Sequence, residues 1–124
     1  MPHIEIDYTA NVADAVEKSE LPRKLHHAAH ELGVFPTNGI RTFVRQINTY
    51  HVGLDQGTEA FIQIRIRVAP GRTDEVMKTI TERFFQVANS AMSDQFDIRS
   101  LGLQLEVSQF IDTLTFRRNT ISNQ

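Results

Sequence analysis

A chain of 124 residues with 40% hydrophobic composition is most simply one domain, able to bury about two-thirds of the surface its unfolded form exposes. Its formal net charge of -2 and pI near 6.2 exclude the basic footprint of a nucleic-acid or anionic-membrane binder, so any anion site has to be local. Having no cysteine, it has no disulfide framework, thiolate metal site or cysteine nucleophile. No segment approaches the ~20 apolar residues that span a bilayer, and the first residues lack the basic and apolar regions of a secretory signal. The expectation is a soluble cytoplasmic protein with neither nucleic acid nor membrane as partner.

The chain opens Met1-Pro2, and residues 3–8 alternate Ile4 and Ile6 with Glu5 and Asp7, the period of a half-buried strand. Pro2 falls on the face of Ile4 and Ile6. Removal of Met1 would expose a secondary amine at the strand's start, and desolvation there would lower its pKa toward that of a base at neutral pH. Residues 11–18 read as a mixed connector. Ser19 then precedes Glu20, Leu21 and Pro22, suitable for a helix's first turn. Leu21, Leu25, Ala28, Ala29 and Leu32 form its apolar stripe and Gly33 its stop.

Asn38-Gly39 favours a tight turn with positive φ. A second strand runs from Arg41 to about Tyr50, with Arg41, Phe43, Arg45 and Ile47 together on one face, a mixture that marks a site or a subunit boundary. Turn residues at 53–57 lead to the clearest strand, 59–69, with Ala60, Ile62, Ile64, Ile66 and Val68 on one side and Phe61, Gln63, Arg65 and Arg67 on the other. Thr73 is the expected N-cap of a long helix, with Asp74 and Glu75 in its first turn and Val76, Ile80, Phe84, Val87 and Ala91 as its stripe, fraying near Met92. Leu101, Leu103, Leu105 and Val107 mark a last strand. Leu114 and Phe116 either continue it or form a separate short one. Strand, helix and strand thus recur twice, with halves at about 2–57 and 58–124. The order predicts an α+β fold, a mixed four-stranded sheet with two helices on one face.

His26 and His30, spaced i, i+4 beside His27 and Glu31, lack the HExxH order and a third ligand, so they read as solvated histidines and no metal is assigned. Arg41 and Arg72 each stand at a junction, one leaving a turn into a strand and one just before a helix N-terminus. There a guanidinium fork matched to carboxylates gains from unpaired N–H groups. Arg45, Arg65 and Arg67 either line the same cavity or pair with Glu59 and Asp7. Phe43, Phe61 and Phe116 serve as core or as site walls.

Pro2, the segment Phe35-Pro36-Thr37-Asn38-Gly39-Ile40-Arg41 and Pro70-Gly71-Arg72 together resemble the tautomerase (macrophage migration inhibitory factor-like) superfamily. Within it they resemble the 5-carboxymethyl-2-hydroxymuconate delta-isomerase family. The likeness covers nearly the whole chain, including Asp112-Thr113-Leu114-Thr115-Phe116-Arg117-Arg118-Asn119. It implies a duplicated β-α-β unit, a homotrimer, and a cofactor-independent isomerase of aromatic-compound catabolism, acting in homoprotocatechuate degradation on a polycarboxylate dienol. In that resemblance Pro2 matches the amino-terminal catalytic base, and Arg41 and Arg72 match arginines that bind the substrate's carboxylate or carbonyl groups. The alternatives are another reaction of the superfamily on an unsaturated acid, decarboxylation or dehalogenation, or a non-catalytic trimer that binds carboxylates or serves as an interaction module. Retention of Met1 would make Pro2 an amide and remove the base.

Overall fold

The structure, a computed structural model, describes residues 1–122. Four strands, β1 (His3–Thr9), β2 (Arg41–Ile47), β3 (Ala60–Val68) and β4 (Leu101–Gln109), form one sheet in the order β2-β1-β3-β4. β1 runs parallel to β2 and antiparallel to β3, and β3 runs parallel to β4. Each parallel pair needs a crossover, which helices supply. α1 (Ala13–Ser19) and α2 (Leu21–Leu32) link β1 to β2, whereas α3 (Asp74–Met92) and a short α4 (Gln95–Ile98) link β3 to β4. The order of elements is therefore repeated, and the last two residues of the second half lie outside the described ones.

The core lies between the sheet and the helices. Ile4 and Ile6 of β1 and Ile62, Ile64 and Ile66 of β3 are fully buried against Leu21, Leu25, Phe84 and Met92. Burying an isoleucine of this kind is worth about 1.5–3 kcal/mol, and Ile64→Ala would cost about 2–5 kcal/mol through the cavity it leaves. Among the described residues no helix covers the opposite face of the sheet. There the register sets His3, Glu5 and Asp7 of β1 between Arg41, Phe43 and Arg45 on one side and Arg67, Arg65 and Gln63 on the other.

The observed caps agree at two ends. The Thr73 hydroxyl accepts the Val76 N–H at 3.2 Å, and Gly33 closes α2 with φ 69. Several expectations are corrected. The supposed connector 11–18 is helical, because Val12, Ala15 and Val16 share one buried face, the i, i+3, i+4 spacing of an amphipathic turn. Ser19 does not cap α2: its hydroxyl donates to Val16 O at 3.1 Å and finishes α1, while Glu20 makes the corner at φ 55. Asn38-Gly39 forms one turn of 3-10 helix without positive φ. β2 stops at Ile47, short of Tyr50. The buried line of α3 is Ile80, Phe84, Ala88 and Met92, leaving Val76 41% exposed. The final segment makes no further strand: Asp112–Leu114 is a 3-10 turn, and Leu114 and Phe116 are 76% and 94% exposed. Among the described residues no helix is long and apolar enough to cross a membrane.

Candidate functional site at the proline end of the sheet

Strand directions bring four chain segments to one end of the sheet. β1 and β2 begin there, β3 and β4 finish there, and His3 pairs with both Arg41 and Arg67 while Val68 pairs with Gln109. Because β1 is an inner strand, Pro2 enters at the middle of that end and is fully buried. Its carbonyl accepts the Arg41 N–H at 3.1 Å, which fixes the start of β2 beside it. The Arg41 guanidinium donates to Gly39 O at 3.2 Å.

Arg72 arrives from the turn before α3. It donates to Ala69 O and Val34 O, each at 3.0 Å, and lies 4.9 Å over the Phe35 ring. Phe35 is itself buried and stacked on Phe84 at 6.4 Å. Two carbonyls and an aromatic face hold the fork in place without neutralising its charge. The sequence-predicted Pro2, Arg41 and Arg72 thus share one end of the sheet.

The charge pattern separates this end from the rest of the molecule. Arg23, Arg45, Arg65, Arg83 and Arg99 each meet a carboxylate within 4.0 Å. Among the described residues Arg41, Arg67, Arg72, Arg117 and Arg118 make no such pair. The effect is visible on the amine of Met1, whose pKa is lowered, first by burial and then by the charges of Arg72, Arg117 and Arg41, with Asp112 pulling the other way. His3 is also held below its ordinary value, by burial first and then by Arg41, Arg67, the terminal amine and Arg117. An amine at this position holds its proton poorly.

With Met1 attached, the Pro2 nitrogen is an amide and the basic group is the Met1 amine. The methionine side chain lies against Gly39: a Cβ added there would meet Met1 Cγ at 2.6 Å. Buried Gly39 therefore supplies room that any other residue would fill.

Sequence reasoning missed His3, Gly39, Phe110 and Arg117 as members of this end. Phe110 is only 8% exposed, donates its N–H to Val68 O at 2.9 Å and meets His3 edge-on at 5.1 Å. The available signals were the stretch 112–119 for Arg117 and the segment 35–41 for Gly39. Of the alternatives for the strand arginines, Arg45 pairs with Asp7 at 2.7 Å and Glu5 at 3.4 Å, and Arg65 with Asp7 at 3.4 Å. Glu59 is not their partner; its carboxylate accepts the Gln56 N–H. Arg67 instead lies 5.3 Å over Phe110. Phe43 is exposed beneath Arg45 at 5.4 Å, Phe61 is half-buried beside Gly102, and Phe116 belongs to no core. His26 is half-buried and bonded to the Thr42 hydroxyl at 2.8 Å, so it is not solvated as expected. Among the described residues no group of three or more His, Asp or Glu could hold a metal ion. A depression of about 470 Å³ against α3 is lined by Lys78, Glu82, Phe85 and Leu105, with Lys78 and Glu82 already paired at 3.9 Å. It gathers no unpaired cation, and none of its lining residues belongs to the Pro2 end.

Comparison with known proteins gives the family of the whole chain. Residues 2–124 match the model of the family described as 5-carboxymethyl-2-hydroxymuconate isomerase. The 5-carboxymethyl-2-hydroxymuconate Delta-isomerase of Escherichia coli is 24% identical over 121 residues, covering 98% of this chain and 96% of that protein. The crystal structure of a 5-carboxymethyl-2-hydroxymuconate isomerase from Deinococcus radiodurans R1 superposes with a TM-score of 0.88 at 28% identity, covering 96% of this chain and 90% of that one. A macrophage migration inhibitory factor-like protein from Entamoeba histolytica shares the fold at a TM-score of 0.56 and 15% identity, covering 98% of both chains. The chain belongs to the 5-carboxymethyl-2-hydroxymuconate isomerase family.

Proposed function

We propose that this protein is a cofactor-independent isomerase that converts 5-carboxymethyl-2-hydroxymuconate to the enone 5-oxopent-3-ene-1,2,5-tricarboxylate, with the amine of Pro2, freed of Met1, as general base. The observation that carries the reading is the gathering of arginines without acidic partners around the buried start of β1. Family membership supplies the reaction class.

In this mechanism the neutral Pro2 nitrogen takes the acidic proton of the dienol and returns it at a carbon further along the conjugated chain. No atom is gained or lost, and no second reactant is needed. Arg41 and Arg72 bind carboxylate or carbonyl oxygens and stabilise the negative charge that develops as the proton leaves. Both forks are already fixed by backbone carbonyls, so little reorganisation accompanies the reaction. Burial and three arginine charges lower the pKa of the Met1 amine, and the same surroundings act in the same direction on an amine at Pro2.

The functional unit is a single domain of two β-α-β halves, 2–57 and 58–124, assembled as a homotrimer. Support for assembly comes from edge strand β2, where Phe43, Val44 and Ile47 are exposed on both faces, and from the exposed Ile111, Leu114 and Phe116 of the final segment. A second copy would cover such surfaces. Sedimentation is expected to give three times the chain mass.

The test is an ultraviolet assay with 5-carboxymethyl-2-hydroxymuconate on protein shown by intact mass to lack Met1. Pro2→Gly is expected to lower kcat by at least about 100-fold. Normal turnover by that variant would sink the role given to Pro2. Profiling with other unsaturated acids separates this activity from decarboxylation or dehalogenation. Protein that retains Met1 in the cell would favour the non-catalytic carboxylate binder, since the methionine side chain fills the space beside Gly39.

A further inference from the structure

We infer that Arg117 is a third carboxylate-binding residue of this site and makes the protein discriminate substrates with three carboxylates from those with two. The inference rests on the proposed isomerase reading for the identity of the substrate. Its geometric basis is independent of it.

The first observation is the placement of the Arg117 guanidinium, 5.7 Å over the Phe110 ring. Phe110 is a fixed platform: it is nearly buried, its N–H is tied to Val68 O, and its ring meets His3, the residue after Pro2. The segment leading to Arg117 is also held. Leu114 N–H donates to Ile111 O at 3.0 Å, and the Thr115 hydroxyl donates to the same carbonyl at 2.8 Å. Stacking on an aromatic face orients a guanidinium yet leaves its charge and N–H donors free for a ligand.

A second observation concerns charge. Arg117 has no carboxylate partner among the described residues, and its charge acts on the Met1 amine more strongly than that of Arg41. Arg67, which shares the Phe110 ring, borders a groove with Glu5 and Glu106 on the helix-free face. Arg117 therefore bears on the space that Met1 occupies, and Arg67 on the sheet face beside it. Asp112 is the acidic group whose charge acts on the same amine in the opposite sense.

Chemistry gives the count. Arg41 and Arg72 satisfy two anionic ends of an elongated dienol. The carboxymethyl arm adds a third carboxylate, which is costly to bring into a partly buried site without a cation. Arg117 supplies it from the segment that follows β4, so its loss leaves Pro2, Arg41 and Arg72 in place.

The experiment compares the Met1-free protein with Arg117→Gln on two substrates: 5-carboxymethyl-2-hydroxymuconate and 2-hydroxymuconate, which lacks the carboxymethyl arm. At a pH well above the acidic limb of the profile, Arg117→Gln is expected to raise KM for the first about tenfold more than for the second and to be partly rescued by Arg117→Lys, while the acidic limb moves to higher pH on both substrates because one of the charges acting at the chain start is lost. Arg41→Gln is expected to impair both substrates. A KM change in Arg117→Gln that is equal on both substrates, or absent on both, would overturn the inference while leaving the isomerase reading intact. If the unaltered protein turns over neither compound, the isomerase reading fails. The role of Arg117 is then decided by calorimetric binding of tricarballylate against glutarate. Tighter binding of tricarballylate that disappears in Arg117→Gln supports it; binding of the two acids that does not differ, or a difference that survives the substitution, overturns it.

Discussion

Arg45 and Arg67 stand on the same helix-free face of the sheet, on strands that flank β1, yet they live in opposite electrostatic settings. Arg45 meets Asp7 and Glu5, and Asp7 is shared with Arg65. Arg67 faces His3 across the register and stacks on Phe110, and although Glu5 and Glu106 line the groove it borders, it makes no ion pair among the described residues. The difference traces to one strand face of β1, where positions 5 and 7 carry carboxylates and position 3 carries a histidine. The acid ladder neutralises the middle of the sheet and stops before Pro2. What remains at that end is a set of oriented arginines that, among the described residues, have no carboxylate within 4.0 Å, the condition for drawing in an anionic ligand.

That contrast can be broken from either side. The largest effect is expected from Arg72→Gln, which removes a fixed cation from the site: kcat/KM falls about 10²- to 10³-fold. Loss of the bonds to Ala69 O and Val34 O also destabilises the fold by about 1 kcal/mol. Steady-state kinetics and urea unfolding separate the two consequences. The kcat/KM profile against pH adds a further readout. Arg72 is the leading charge that lowers the pKa of the terminal amine, so its removal shifts the acidic limb of the profile to higher pH.

His3→Glu would extend the acid ladder by one step and place a carboxylate opposite Arg41 and Arg67. Activity is expected to fall about tenfold as the site gains an internal counterion. Activity kept at full strength would deny that the missing acid matters. On the paired side, Arg45→Gln is expected to leave kcat and KM within about twofold, because exposed ion pairs contribute little.

The smallest effect is on stability against pH. His3 is held below its ordinary value of 6.5, by burial first and then by the surrounding arginines. As pH falls below 6.5, the unfolded chain therefore takes up a proton that the native chain resists. Stability declines through that window and the loss levels off below the native value. Urea midpoints measured above and below pH 6.5 should differ less in His3→Gln than in the unaltered protein.

Much of the scaffold was legible in the sequence, because β1 and β3 alternate with period two and α2 and α3 carry clear apolar stripes and caps. α1 was not, since its buried residues Ala15 and Val16, with Val12 of the 3-10 turn before it, make too short a run to stand out from a polar connector. Pro2 was readable as the start of a strand, and Arg41 and Arg72 as junction residues. Their convergence follows from strand direction, which no local pattern reveals. Phe110 and Arg117 were harder still, because they join the site only through packing of the final segment against His3. Gly39 shows the same limit: the Asn-Gly pair pointed to a positive-φ turn, whereas the structure uses the glycine for its missing side chain against Met1.

The most direct measurement compares two preparations of the same protein, one retaining Met1 and one lacking it by intact mass, in the ultraviolet assay with 5-carboxymethyl-2-hydroxymuconate. The account predicts turnover confined to the Met1-free preparation, where the nitrogen of Pro2 is an amine set among Arg41, Arg72 and Arg117. Equal turnover by the preparation that keeps Met1 would contradict it.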